Sequence, residues 1–139
     1  MLGERIALFK AEAAMSGRRW DPMHVVVARD MFVVNNERER KAAIERNNRT
    51  HGRTLSASRA PDRGGGSHIL AYAHTVEQRR DSPLIGSPEE ILAKLQTLSE
   101  AGVEYVMLNA AGSRESLQRF AREVMPHVAA QPGCVAATG

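Results

Sequence analysis

A chain of 139 residues with 42% hydrophobic and 25% charged residues is long enough to bury a core without metals or cross-links, and its composition excludes disorder throughout. Its single cysteine, Cys134, excludes a disulfide within these residues, and no apolar run reaches the roughly 18 residues that a membrane helix needs. The formal charge of +3, much of it between Arg38 and Arg63, suits either an anionic ligand or a solvated basic loop.

From Glu4 to Met15, apolar Ile6, Leu8, Phe9, Ala13 and Met15 fall at helical spacing, and Gly17 supplies a stop. A helix is predicted there, and the acids within it argue against a signal peptide. Pro22 then turns the chain and drives Asp21 toward extended backbone. The next stretch, "MHVVVARDMFVV", is β-branched and apolar on both faces, which predicts a strand covered on both sides in a parallel sheet. "NNERERKAAIERNN" has only Ala42, Ala43 and Ile44 as apolar content and predicts a largely exposed helix.

Residues 50–67, rich in Gly, Ser, Arg and Pro, read as a long loop of the kind that serves as a lid or linker. "RGGG" within it follows no strand and precedes no G-K-[ST], so a phosphate-gripping P-loop is not predicted. His51, His68 and His74 lack nearby cysteines or paired acids, and no metal site is predicted. "HILAYAHTVEQRR" returns to helical spacing through Ile69, Leu70, Ala73 and Val76.

The clearest punctuation lies in "LIGSPEEILAKLQTLSEAGVEYVMLN". Ser87 stands at an N-cap, Pro88 at the first helical position and Glu90 three residues past the cap, which is a capping-box pattern after a short strand. Ile91, Leu92, Leu95 and Leu98 form one apolar stripe that Gly102 terminates. "VEYVMLN" predicts a third strand, Ser113 a second cap, and Leu117, Phe120, Ala121, Val124 and Met125 a second stripe ended by Pro126. Alternating strand and helix predicts a parallel α/β sheet with right-handed crossovers.

The wording "GSPEEILAKLQTLSEAGVEYVMLN", followed by "SLQRFAREVMP", resembles the C-terminal signature of the bacterial luciferase-like flavin-dependent monooxygenases. "VVVARDMFVVNNERERKAA" resembles that family's sixth strand and the charged helix after it. The resemblance implies a partial (β/α)8 TIM barrel: residues 1–128 form the C-terminal portion of a monooxygenase domain that lacks strands one to five, and residues 129–139 form a flexible tail. It further implies an activity in which reduced FMN, or the related deazaflavin F420, reacts with O2 to oxidise a small organic substrate. Missing strands expose open sheet edges, so the expected partners are a second copy or a complementing barrel subunit. The alternative is a non-catalytic partial-barrel module that binds a partner through those edges. Neither nucleic acid nor membrane is an expected partner, and the expected location is the cytoplasm.

Functional groups in such barrels sit at the carboxyl ends of strands and in the loops that follow. On the resemblance, Arg29 is the candidate catalytic residue, pointing toward flavin and substrate; its other reading is a structural salt bridge. Met31, two residues along the same strand face, stands where part of the family has a histidine, and a thioether exchanges no protons. Ser87 either caps its helix or also offers an anion the helix N-terminus. Asn109 either meets substrate or flavin or bonds local backbone. Arg79 and Arg80 either close over an anionic group or are plain surface arginines. His24, near the start of the first strand, reads as a structural or exposed histidine.

Overall fold

The computed structural model of the chain describes residues 2–58, 83–109 and 114–129. The first helix forms as α1 (Leu2–Met15) and closes on Gly17, whose backbone has φ 68°. Arg18 N–H donates to Ala13 O at 2.8 Å and Gly17 N–H to Ala14 O at 3.0 Å, a Schellman closure that satisfies the last carbonyls. Pro22–His24 make one 3₁₀ turn, capped by the Asp21 carboxylate on Met23 N–H at 2.8 Å. That turn takes up the first residues of the stretch read as strand. Phe9, Trp20 and His24 meet edge to face there, with ring centroids 5.8 to 6.3 Å apart, and Lys10 Nζ lies 4.6 Å from the Trp20 ring.

Three strands follow: β1 (Val26–Val33), β2 (Leu84–Gly86) and β3 (Tyr105–Asn109). Helix α2 (Glu37–Ser58) comes after β1, α3 (Pro88–Glu100) after β2, and α4 (Arg114–Glu123) and the short α5 (Met125–Ala129) after β3. All pairing is parallel, in the order β2-β1-β3. Met31, Phe32 and Val33 of β1 pair with Leu84, Ile85 and Gly86, while Val26 through Asp30 pair with Tyr105 through Asn109.

This order overturns the expectation of a partial TIM barrel. A barrel keeps consecutive strands side by side and puts every helix on its outside. Here the chain leaves β2, passes β1 and lays β3 on the far side of β1, leaving a small open three-stranded sheet among the described residues. Helices accordingly cover both faces. Ala43 of α2 packs with Phe32, Val34 and Ile85 on one face, whereas Ile91 of α3 and Phe120 of α4 pack with Met31, Val33 and Leu84 on the other. Right-handed crossovers that run first one way and then the other along a sheet must place their helices on opposite faces.

A third cluster, Ile6, Val27 and Val103, fixes α1 beneath the second of these faces, and Val106 touches both this cluster and the one around Met31. Gly102, at φ 90°, closes α3 by a second Schellman pattern: Val103 N–H donates to Leu98 O at 3.0 Å and Gly102 N–H to Ser99 O at 2.9 Å. The expected stripe holds at Phe120 of α4 and at Val124 just beyond it, which are buried together with Ser116, and is rotated away from Leu117 and Met125, which face outward. Helix α2 runs through Ser58, into the stretch read as a loop from Thr50. The remainder of that loop, the helix expected over "HILAYAHTVEQRR", the cap at Ser113 and the tail with Cys134 lie outside the described residues. Among the described residues, no helix is long and apolar enough to cross a membrane.

Met31 is fully buried at the centre of the largest cluster. Met31→Ala should cost about 2 to 5 kcal/mol through the cavity it leaves, whereas Leu117→Ala, a substitution at an exposed position, should stay within about 0.5 kcal/mol. Urea denaturation of both variants measures the difference, and equal losses would contradict the rotated stripe.

Candidate functional site

The carboxyl end of the sheet is organised by the first turn of α2. Asn36 Oδ1 accepts from Glu39 N–H at 2.9 Å, and the Glu39 carboxylate accepts from Asn35 N–H at 2.9 Å, so this turn is capped from both directions. The next two interactions run outward to opposite sides. Glu39 Oε2 lies 3.3 Å from Arg119 Nη1 of α4, and Arg40 Nη2 lies 2.6 Å from Glu90 Oε2 of α3. Adjacent residues of one helix thus reach two helices that pack on the other face, across the end of β1.

Strand β1 also extends beyond β3. Pairing stops at Asp30↔Asn109, yet β1 continues to Val33. Side chains of α4 replace the missing strand: Ser116 Oγ accepts from Val33 N–H at 3.4 Å and donates toward Met31 O at 3.5 Å, while Arg119 Nη1 donates to Val33 O at 3.2 Å. Ser116 is 8% exposed and packs its hydroxyl into the core. On the other side of β1, Val34 N–H donates to Gly86 O at 2.9 Å and prolongs the ladder with β2.

Ser87 behaves as the capping reading has it. Its hydroxyl accepts from Glu90 N–H at 3.3 Å and donates to Glu89 Oε2 at 2.7 Å, and its own N–H donates to Glu90 Oε2 at 2.7 Å. The helix N-terminus is therefore supplied with carboxylates from the same chain. The Ser87 hydroxyl holds the Glu89 carboxyl below its ordinary range, and the Arg40 guanidinium, then Ser87 N–H, does the same for Glu90. Gly86 permits this: a Cβ there would fall 2.8 Å from Glu90 Cβ.

Arg29 lies in the middle of β1, opposite Leu108, on the face that carries Val27 and Met31. Its guanidinium is half-buried, donates to Ala28 O at 2.9 Å, and has no acid partner among the described residues; burial pushes it below its ordinary value. Asp30 points to the other face, where its carboxylate accepts from Asn109 Nδ2 at 2.8 Å. Met31 is core, with no exposed surface. Among the described residues, Arg29 and Met31 therefore lie on one face of the sheet and Asn109 with Asp30 on the other, while Ser87 caps α3; Arg79 and Arg80 lie outside the described residues. His24, the exposed reading, stands in the ring cluster with Phe9 and Trp20.

A crevice of about 300 Å³, not foreshadowed by any motif in the sequence, lies between α2 and α4 at the end of β1. Phe32, Val34 and Ala43 give it an apolar wall, and Glu39, Arg46, Glu115 and Arg119 give it charge. In open α/β sheets ligands bind outside the carboxyl ends of strands at the point where strand order reverses. Here that point is β1, because the chain leaves it toward β2 and returns past it to β3. The available signal in the sequence was Ser116, a polar residue four before Phe120 on a helix. Among the described residues, no group of three or more His, Cys, Asp or Glu stands ready for a metal. Comparison with known protein families, with curated proteins and with solved structures gives no match.

Replacing Ser116 by Ala leaves Val33 N–H and Met31 O without their partner and should cost about 1 to 3 kcal/mol. Chemical denaturation reads it, and no loss would remove Ser116 from the support of β1. Acid acts elsewhere in the same network. A carboxyl whose value is depressed in the folded chain stabilises fully above its ordinary value, 4.5 for Glu90, and loses that contribution as pH falls through the folded value. The contribution of Glu90 should therefore be constant above the ordinary value and fall below it, and Arg40→Gln should make the acid fall in stability shallower. Urea melts between about pH 3 and pH 7 test this; an unchanged slope in the variant would show that the ion pair adds nothing.

Proposed function

We propose that this chain is a small α/β ligand-binding unit in which Arg29 receives an anionic group, and that the ligand class is the one its sequence resemblance implies. That class is reduced FMN or deazaflavin, together with a small organic substrate that the flavin and O2 oxidise. One observation carries the reading: a half-buried guanidinium with no acid partner among the described residues. Partial burial of a charge without a counterion is unfavourable, and a phosphate, sulfonate or carboxylate beside Arg29 offsets that cost.

The residues present fit the anionic group better than the whole cofactor. Arg29 lies on one face of the sheet, while exposed Val26, Tyr105 and Met107 lie on the other, so a flavin phosphate at Arg29 does not bring its ring onto that patch. When bound, the flavin would supply the redox chemistry. Arg29 would bind and orient the anion, and no proton transfer is assigned to Met31.

A second reading, an assembly module, is favoured by the unequal treatment of the two sheet edges. Lys94 of α3 donates to Pro83 O at 3.0 Å and Ile85 O at 3.4 Å, covering the outer edge of β2 with an ammonium group. On the outer strand β3, Tyr105 and Met107 are 44% and 58% exposed. On this reading a second copy or a complementing subunit adds at β3.

Titration of the purified chain with oxidised and reduced FMN, with light scattering in the same buffer, separates the two. Saturable binding in the micromolar range that weakens at least tenfold in Arg29→Ala, with unchanged circular dichroism, is the expected result. No saturation up to about 1 mM flavin would reject the ligand reading. A monomer at every concentration would reject self-association through β3.

A further inference from the structure

The crevice at the end of β1 points to a ligand that the flavin reading does not require. We infer that it binds a small zwitterion of the α-amino acid class with an apolar side chain. Its charged lining is balanced, with Glu39 and Glu115 against Arg46 and Arg119. A simple dianion such as phosphate would meet both acids as well as both bases, whereas a zwitterion matches both signs at once.

Two of these groups are placed to receive it. Arg119 is held by Val33 O and Glu39 through Nη1 and faces Glu123 Oε1 at 3.9 Å through Nε, which leaves Nη2 with no acceptor among the described residues. Its side chain is only 15% exposed, so its orientation is set before any ligand arrives. A carboxylate accepts from that nitrogen. Glu115, at the rim on the first turn of α4, has no partner among the described residues and suits an ammonium group. Between them, Phe32, Val34 and Ala43 form an apolar wall for a branched side chain, and about 300 Å³ is room enough for one amino acid with water.

The place in the fold is independent support. Strand order reverses at β1, and α2 and α4 flank its carboxyl end from opposite faces of the sheet. Crevices so placed are the usual ligand sites of open α/β sheets. Glu39 closes one side through its bonds to Asn35 N–H and Arg119, and this pair holds the crevice walls at a fixed distance.

The test uses the full chain and three probes that share one carbon skeleton: L-leucine, 4-methylpentanoate, which lacks the ammonium, and 3-methylbutylamine, which lacks the carboxylate. Chemical-shift titration should show saturable binding of leucine, with shifts at Phe32, Val34 and Ala43, and at least tenfold weaker binding of each analogue. Glu115→Gln, a change at an exposed position, should reduce leucine to the affinity of 4-methylpentanoate while the rest of the spectrum stays folded. Arg119→Lys should weaken leucine and 4-methylpentanoate alike. Equal binding of 4-methylpentanoate and leucine, an unaffected Glu115→Gln, or no saturation by leucine up to about 50 mM would each overturn the assignment.

Discussion

The fold depends on how β1 is completed beyond the end of β3. A central strand with backbone groups facing an empty place leaves unsatisfied donors and acceptors in a dry interior, each costly. Helix α4 resolves this with two side chains one turn apart, Ser116 and Arg119, which take over the hydrogen bonds that another strand residue would make. Arg119 then needs a fixed counterion because it is nearly enclosed, and Glu39 provides it from the far side of the sheet. The same requirement that completes β1 therefore ties α2 to α4 and shapes the crevice between them.

What the sequence made legible is what is decided locally. The capping box at Ser87, the stops at Gly17 and Gly102, and the strand-helix alternation each depend on a few consecutive residues, and each forms where the spacing places it. Strand order is a different kind of property. A barrel and an open doubly wound sheet repeat the same β/α unit with the same caps, and differ only in which strand the returning chain finds beside it. Nothing in "VEYVMLN" says whether its neighbour is β2 or β1. The resemblance to a barrel family therefore led to the wrong architecture even though its local punctuation was read correctly.

Two smaller misreadings have the same origin. The expected loop from Thr50 rested on the Gly, Ser, Arg and Pro content of residues 50–67, yet no proline interrupts Glu37–Ser58, and one glycine costs a helix only about 1 kcal/mol. Thr50 even bonds back to Arg46 O at 3.1 Å, as a helical threonine does. On α4, assigning the buried stripe by hydrophobicity put Leu117 inward. The observed stripe begins at Ser116, because a hydroxyl there answers β1, a demand visible only once β3 is known to stop short. Arg29 and Ser87 stood out as candidates, whereas the charges that line one crevice, Glu39, Glu115 and Arg119, looked like ordinary helix-surface charge.

The ring cluster at the base of α1 has a spectroscopic consequence. Trp20 is the chain's one tryptophan, and it sits against Phe9 of α1, His24 and the Lys10 ammonium, away from the carboxyl end of the sheet. Its emission reports whether α1 is seated and is blind to the network around β1. A transition followed by fluorescence alone records the detachment of that helix, while the backbone signal in circular dichroism records the sheet and the other helices. Where the two transitions separate, the chain loses its N-terminal buttress before the carboxyl end of its sheet, and the separation measures how far Val106 couples the two halves of the core.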